Sequence, residues 1–252
     1  MKKLLLILLF LTLSCNNEKF YEEYYPNGNL KLKIALDKNG IRNGQFKEYY
    51  ESGKLKSKGE YFNGELRDSV FIYYENGRIK EKGIFYNGHQ QNWWKVFGHN
   101  NEILEEKEYY EVNDSAYKNQ YIIYNSQGEI DYSKSSFFKF KIPDTLIVGT
   151  NLLEANEYYS DKKGDTKYLS ILIDNKKSET EIIKDTFRSG EIKNGKIKPW
   201  FGIYAYKKGK MKIKGRIEEK ILETKLLPND SSILKVTDLY RFFEKEVFVK
   251  EK

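Results

Sequence analysis

Cysteine, histidine and proline are nearly missing from this 252-residue chain, and each scarcity removes a class of explanation. Cys15 is the one cysteine, so no intrachain disulfide staples the fold, and stability has to come from packing and strand pairing. His89 and His99 are the only histidines and sit near turns without clustered carboxylates, whereas a metal centre needs three or four converging ligands. Hydrolytic triads of the Ser-His-Asp or Cys-His kind therefore lack a convincing base. Adjacent acids such as Glu105-Glu106 and Glu218-Glu219 do not make a catalytic pair, because neighbours on a strand point to opposite faces. An enzymatic site would need Asp and Glu to converge across a cleft, for which the junction near Pro143 is the natural place. The reading is of a non-catalytic protein with no metal and no cofactor. Only 4 prolines stand against 21 tyrosines and 15 phenylalanines, a mixture that suits β-structure and excludes disorder.

Long apolar runs are also missing, except at the start. Lys2 and Lys3 precede an apolar stretch from Leu4 to Leu13, too short to span a bilayer as a helix, and Ser14-Cys15 ends it. With Thr12-Leu13-Ser14-Cys15 in the place of the lipobox, residues 1–15 resemble a bacterial lipoprotein signal peptide. The resemblance implies cleavage before Cys15, lipid on its sulfur, a short tether over 16–19, and a location in the bacterial cell envelope. The membrane is then one partner, reached through the lipid. Nucleic acid is a poor partner for such a chain, despite the formal net charge of +7.

What the chain has in abundance is repetition. Gly28, Gly53, Gly77, Asn101 and Gly128 mark a unit recurring through the first half. Seven residues before each anchor stand Tyr21, Phe46, Val70, Trp94 and Tyr121; two after stand Leu30, Leu55, Ile79, Ile103 and Ile130. Registered columns of this kind mean one supersecondary unit copied in tandem, each copy burying its apolar side against the next. Each copy reads as a β-hairpin, with Asn-Gly supplying the positive-φ positions of a tight turn. A second Gly, in Asn39-Gly40, Asn63-Gly64 and Asn87-Gly88, marks the connection to the next copy.

The pattern Tyr-Tyr-x-Asn-Gly-x-Ile/Leu-Lys, followed by a strand ending in aromatic-Asn-Gly, resembles the bacterial variant of the MORN repeat, most closely at residues 73–88. The resemblance covers residues 20–138 and implies an elongated, twisted sheet of stacked hairpins. It also implies a binding task. The leading expectation is a lipid-anchored envelope protein whose repeat surface contacts an unidentified protein or envelope surface. The alternative is an immunity or antitoxin-like protein that neutralises a toxin. Adjacent tyrosines split one ring inward and one outward, so Tyr25, Tyr50 and Tyr74 are expected to form an outward ladder, with Trp93 an exposed anchor and Trp94 core.

Ile142-Pro143 breaks the repeat, since proline is excluded from a central strand, and a second domain is expected over 142–252. Its seven short alternating runs predict an antiparallel β-sandwich resembling immunoglobulin-like domains, making the whole chain all-β. Residues 20–112 carry 14 basic and 15 acidic groups, so the basic excess falls in the second half. There Lys210, Lys212 and Lys214 share one strand face, opposite Met211 and Ile213, as a candidate contact for anionic surfaces.

Overall fold

The computed structural model describes residues 19–161, 163–164, 166–192, 196–228 and 231–251, and among these there are strands and turns but no helix. The first nine strands are β1 (Lys19–Tyr24), β2 (Leu30–Leu36), β3 (Arg42–Tyr49), β4 (Leu55–Phe62), β5 (Glu65–Tyr73), β6 (Ile79–Tyr86), β7 (His89–Phe97), β8 (Ile103–Val112) and β9 (Ser115–Ile123). They pair in chain order into one antiparallel meander. This is the hairpin array that the repeat columns predict.

Two kinds of turn build it. At each anchor the N–H of Gly28, Gly53, Gly77, Asn101 or Gly128 donates to the carbonyl three residues earlier, of Tyr25, Tyr50, Tyr74, Gly98 or Asn125. All five anchors have positive φ, from 67° at Asn101 to 85° at Gly28. The preceding asparagines Asn27 and Asn76 are not left-handed, so this is a type I turn closed by one left-handed residue rather than an Asn-Gly two-residue turn. The two-residue turn occurs at the opposite end of the hairpins, where Asn63-Gly64, Asn87-Gly88 and Asn113-Asp114 have positive φ at both positions.

The core column is a continuous row across the sheet. Tyr21 faces Ile34, Ile34 faces Phe46, and Phe46 faces Gly59. Val70 faces Gly83, Trp94 faces Lys107, and Lys107 faces Tyr121. From Phe46 to Trp94 large side chains alternate with Gly59 and Gly83, because neighbouring strands are only about 4.8 Å apart. A Cβ on Gly83 would lie 2.1 Å from the Trp94 ring, and one on Gly59 would lie 2.7 Å from Phe46 and 2.9 Å from Val70. Ile34, Phe46, Val70 and Trp94 are thereby buried in a sheet one layer thick. The register also slips at a recurring place, around Gly44 (φ 109°), Asp68 (φ 64°) and Asn92 (φ 57°), where the outgoing strand carries extra residues. These are β-bulges, which sharpen the twist.

The second sheet holds β10 (Phe137–Phe140), β11 (Thr145–Ile147), β12 (Gly149–Tyr159), β13 (Thr166–Lys176), β14 (Ile182–Glu191), β15 (Lys196–Ile197), β16 (Trp200–Ala205), β17 (Gly209–Leu226) and β18 (Ser232–Lys250). Its main path runs β10-β12-β16-β13-β17-β18-β11, with β14 and β15 attached at the sides. Each of the seven expected runs falls on one of these strands. Beyond antiparallel pairing there are two parallel contacts, β11 with β18 and β13 with β16. Only Val148 separates β11 from β12, yet they lie towards opposite ends of the path, so the sheet curls round a core. Ile171, Ile173, Phe201, Ile203, Ile217 and Val249 sit inside it, each no more than 1% exposed. The step from first to second sheet falls between β9 and β10, ahead of Pro143, because Phe137–Phe140 pairs with β12.

Candidate functional site

Two surfaces outside the cores gather chemistry: the open face of the repeat sheet, and the cleft where the two sheets meet.

The tyrosines expected as an outward ladder are tied into the array. The hydroxyl of Tyr25 donates to the Tyr49 carbonyl (2.8 Å), Tyr50 to Tyr73 (2.5 Å) and Tyr74 to Phe97 (2.8 Å). Each ring is half-buried and bridges to the next copy. Strand alternation does not apply to them, since each sits in the turn itself, closing it through its own N–H and carbonyl. The ladder ends at the fourth copy, where Gly98 takes the tyrosine's place and His99 stacks on Tyr74 at 4.0 Å.

The face opposite the packed row is different. Consecutive strand residues point to opposite faces, so one step from the row Tyr21, Ile34, Phe46 lies a second row. It reads Glu22, Lys33, Lys47, Lys58, Phe71, Lys82, Lys95, Glu106 and Ile122, each facing the next across the nine strands. The ends are closed by ion pairs, Lys33 with Glu22 (2.9 Å) and Lys95 with Glu106 (2.7 Å). In the middle, the Lys58 ammonium stands over the Phe71 and Tyr73 rings, and Lys82 stands over Phe97. Phe20, Tyr24, Phe62, Ile84, Tyr86 and Trp93 share this face and are 37–55% exposed. Trp93 thus stands outside while Trp94 is 1% exposed, its indole N–H donating to the Ile84 carbonyl.

Lys210, Lys212 and Lys214 lie on β17, opposite Phe248, Glu246 and Glu244 of β18. Lys210 pairs with Glu246 (3.2 Å), while Lys212 (3.1 Å) and Lys214 (3.7 Å) share Glu244. The run that stands out most in the sequence is therefore matched across the hairpin by acids some thirty residues further on.

The cleft between the sheets, of about 550 Å³, is lined by Glu108, Glu111, Tyr110, Gln120, Phe242 and Glu244 among others. Asn119 of β9 joins the sheets as a strand would: its amide donates to the Phe242 carbonyl (2.7 Å) and accepts from the Phe242 N–H (2.6 Å). Tyr110 stacks on Phe242 at 5.4 Å, and Tyr117 donates to the Tyr240 carbonyl. Asn119 and Gln120 both donate to one oxygen of Glu108 at 2.6 Å. Burial still dominates there and pushes the Glu108 carboxyl above its ordinary value. Burial, with the Glu244 charge alongside, pushes the Tyr110 phenol up to about 12. Glu111 accepts from Gln91, and Glu244 from Tyr110 and from Lys212 outside the cleft, while Asp114 is a further acid of the lining.

Among the described residues no cluster of three or more His, Cys, Asp or Glu is placed to hold a metal ion. Cys15 and the leader lie outside the described residues; of the expected tether, Lys19 opens β1. Sequence reasoning passed over the lysine row and the Asn119–Phe242 junction. A signal for the bulges that set the row's register was present, in the recurrence of Gly44, Asp68, Asn92 and Asn119 two residues before the core column. No protein-family profile, curated protein or solved structure matches this chain.

Proposed function

We propose that this is a non-catalytic binding protein of the bacterial cell envelope, anchored by lipid at Cys15, which uses the open face of its repeat sheet for contact. The observation that carries this reading is the division between the sheet's faces. Ile34, Phe46, Val70 and Trp94 are packed on one side. On the other, six large apolar or aromatic side chains stand in solvent among lysines. Monomer surfaces seldom gather such side chains without a partner to cover them. The rings on that face are the residue types in which interface energy concentrates. The resemblance of residues 20–138 to variant MORN repeats belongs to this proposal as its family assignment. The curled second sheet serves as the rigid base against which β9 is braced. The immunoglobulin-like sandwich expected over 142–252 is likewise part of this proposal; what supports it is antiparallel pairing of most strands around one buried cluster.

Two measurements test the reading separately. Cells fed a labelled fatty acid should label the full chain and leave the Cys15→Ser variant unlabelled; equal labelling of both would remove the anchor. Envelope capture with the full chain should lose its partners when Phe62 and Trp93 are both changed to Ser. Partners retained by that double variant would show that contact is made elsewhere.

A further inference from the structure

The lysine row has a geometry more specific than a positive patch. Its cations are not scattered; they follow one line at right angles to the strands, one residue per strand from Lys33 on β2 to Lys95 on β7. At about 4.8 Å per strand that line is about 24 Å long. The strand step is close to the residue repeat of a linear 1,4-linked chain of uronic acids, in which every sugar carries one carboxylate. Lys47 and Lys58 are exposed, and among the described residues neither they nor Lys82 forms an ion pair with a carboxylate. Phe71 interrupts the cations at the centre of the line, a half-buried ring between Lys58 and Lys82 with the Lys58 ammonium standing over it. Rings between regularly spaced cations suit a polymer with apolar sugar faces and regular negative charge.

The surrounding charges agree. Glu22 and Glu106 cap the two ends, where they hold Lys33 and Lys95. Two acids lie beside the middle of the row, Glu60, which faces Arg67 across β4 and β5, and Asp68. Shallow grooves beside the row are lined by Lys33, Gln45, Lys47 and Glu60, and by Lys47, Lys58, Glu60, Asp68, Ser69 and Phe71, so the cations are flanked by polar groups and by two acids.

We infer that the open face of the repeat sheet binds a linear acidic polysaccharide, laid across the strands along Lys47, Lys58, Phe71 and Lys82. This rests on the contact-face reading above and names the chemistry of the partner. Lys210, Lys212 and Lys214 supply an internal control, since they are equal in number and charge but faced by Glu244 and Glu246.

The test is binding of the full chain to polygalacturonate by isothermal titration at low salt, with neutral dextran and phosphatidylglycerol vesicles as parallel probes. The triple variant Lys47→Gln, Lys58→Gln, Lys82→Gln is expected to weaken polygalacturonate binding by about tenfold or more, as loss of three cations facing a polyanion should. The triple variant Lys210→Gln, Lys212→Gln, Lys214→Gln should change it by less than about twofold, because exposed pairs already offset those charges. Replacing Lys47, Lys58 and Lys82 by Arg should preserve binding, which also guards against a Gln variant that folds poorly. Equal losses in the two Gln triples would overturn the inference, since net charge alone would then be acting. So would binding to the vesicles in preference to polygalacturonate, or no binding to either polymer. If polygalacturonate is not bound but envelope capture still depends on Phe62 and Trp93, the contact face stands and only the polysaccharide is lost.

Discussion

In the first sheet each strand meets the strands immediately before and after it, and a buried side chain such as Trp94 packs on residues from its own and adjacent copies, Gly83, Phe85 and Tyr109. In the second, Phe243 of β18 lies against Phe138 and Phe140 of β10 and Phe201 of β16, strands far from it in the chain. Among the described residues, one sheet is a nearest-neighbour array with a cluster of four buried apolar residues; the other is a curled sheet round a single larger cluster. The first can therefore loosen copy by copy, while the second should melt as one unit. The same contrast separates surface from scaffold. The nearest-neighbour array exposes a long, regular face; the curled sheet packs a larger cluster inside and carries its own exposed apolar side chains, Leu226, Ile233, Leu234 and Val236, at the end of the β17–β18 hairpin.

The largest effect that would sharpen this comparison is Phe243→Ala. It should cost about 3–5 kcal/mol, as deletion of a core aromatic does. Amide hydrogen exchange should accelerate throughout β12, β13, β16, β17 and β18 while β1–β5 keep their protection. Acceleration confined to the strands touching Phe243 would break the claim that the second sheet is one cooperative unit.

Gly83→Ala is the counterpart in the array. The added Cβ would sit 2.1 Å from the Trp94 ring, and that ring is boxed by Phe85 and Tyr109, so it cannot simply swing away. Overpacking of this kind costs about 1–3 kcal/mol. Here exchange should quicken in β5–β8 and stay unchanged in β1 and β2, whose row contact is Tyr21 with Ile34. A uniform loss across all nine strands would show that the array does not behave as nearest neighbours.

Between the sheets, Glu108 makes the comparison pH-dependent. Its carboxyl is raised by burial from the ordinary value of 4.5. The folded protein therefore keeps a proton there at pH values where the unfolded chain has released it. That contribution to stability is present below about pH 4.5 and is lost as the pH rises through the raised folded value. Glu108→Gln removes the titration and keeps an oxygen for Asn119 and Gln120 to donate to. Urea midpoints measured at pH 4.5 and pH 7 should fall less for this variant than for the wild type. A steeper fall in the variant would mean that the carboxylate, not the acid, is the form the junction favours.

What could be read in the sequence follows from the range of the physics involved. Turns are local: a left-handed residue needs glycine or asparagine whatever surrounds it, so Gly28, Gly53, Gly77 and even the degenerate Asn101 mark their turns directly. Core columns are equally visible, because each copy restates them. The lysine row was hidden by the bulges at Gly44, Asp68 and Asn92, which shift the pairing of each outgoing strand, so alignment of Lys47, Lys58 and Lys82 needs the register of several strands at once. The Lys210–Lys214 run suffered the opposite error. Its alternation was plain, but Glu244 and Glu246 lie across a hairpin whose long arms could not be foreseen from the short apolar runs. Nothing in Asn119 announces that its amide would pair with the Phe242 backbone, since such a contact depends on where the two sheets meet.

The smallest expected effect concerns the one anchor that departs from glycine. Asn101 adopts φ 67° and its N–H donates to the Gly98 carbonyl, as Gly77 at φ 82° does to Tyr74. Asparagine tolerates this region better than other side chains but is still under some strain there, whereas glycine is not. Replacing Asn101 by glycine relieves that strain and adds freedom to the unfolded chain, and the two nearly cancel, leaving a stabilisation below about 1 kcal/mol. The reverse exchange is not symmetrical. A Cβ on Gly77 would meet no atom within 4 Å, so Gly77→Ala is penalised only for its backbone conformation, by about 1–2 kcal/mol. Thermal midpoints of the two variants should therefore move in opposite directions, with the larger shift in Gly77→Ala. If both fell equally, the fourth turn would be holding asparagine for its side chain rather than for its φ, and the copies would not be equivalent where the array appears most regular.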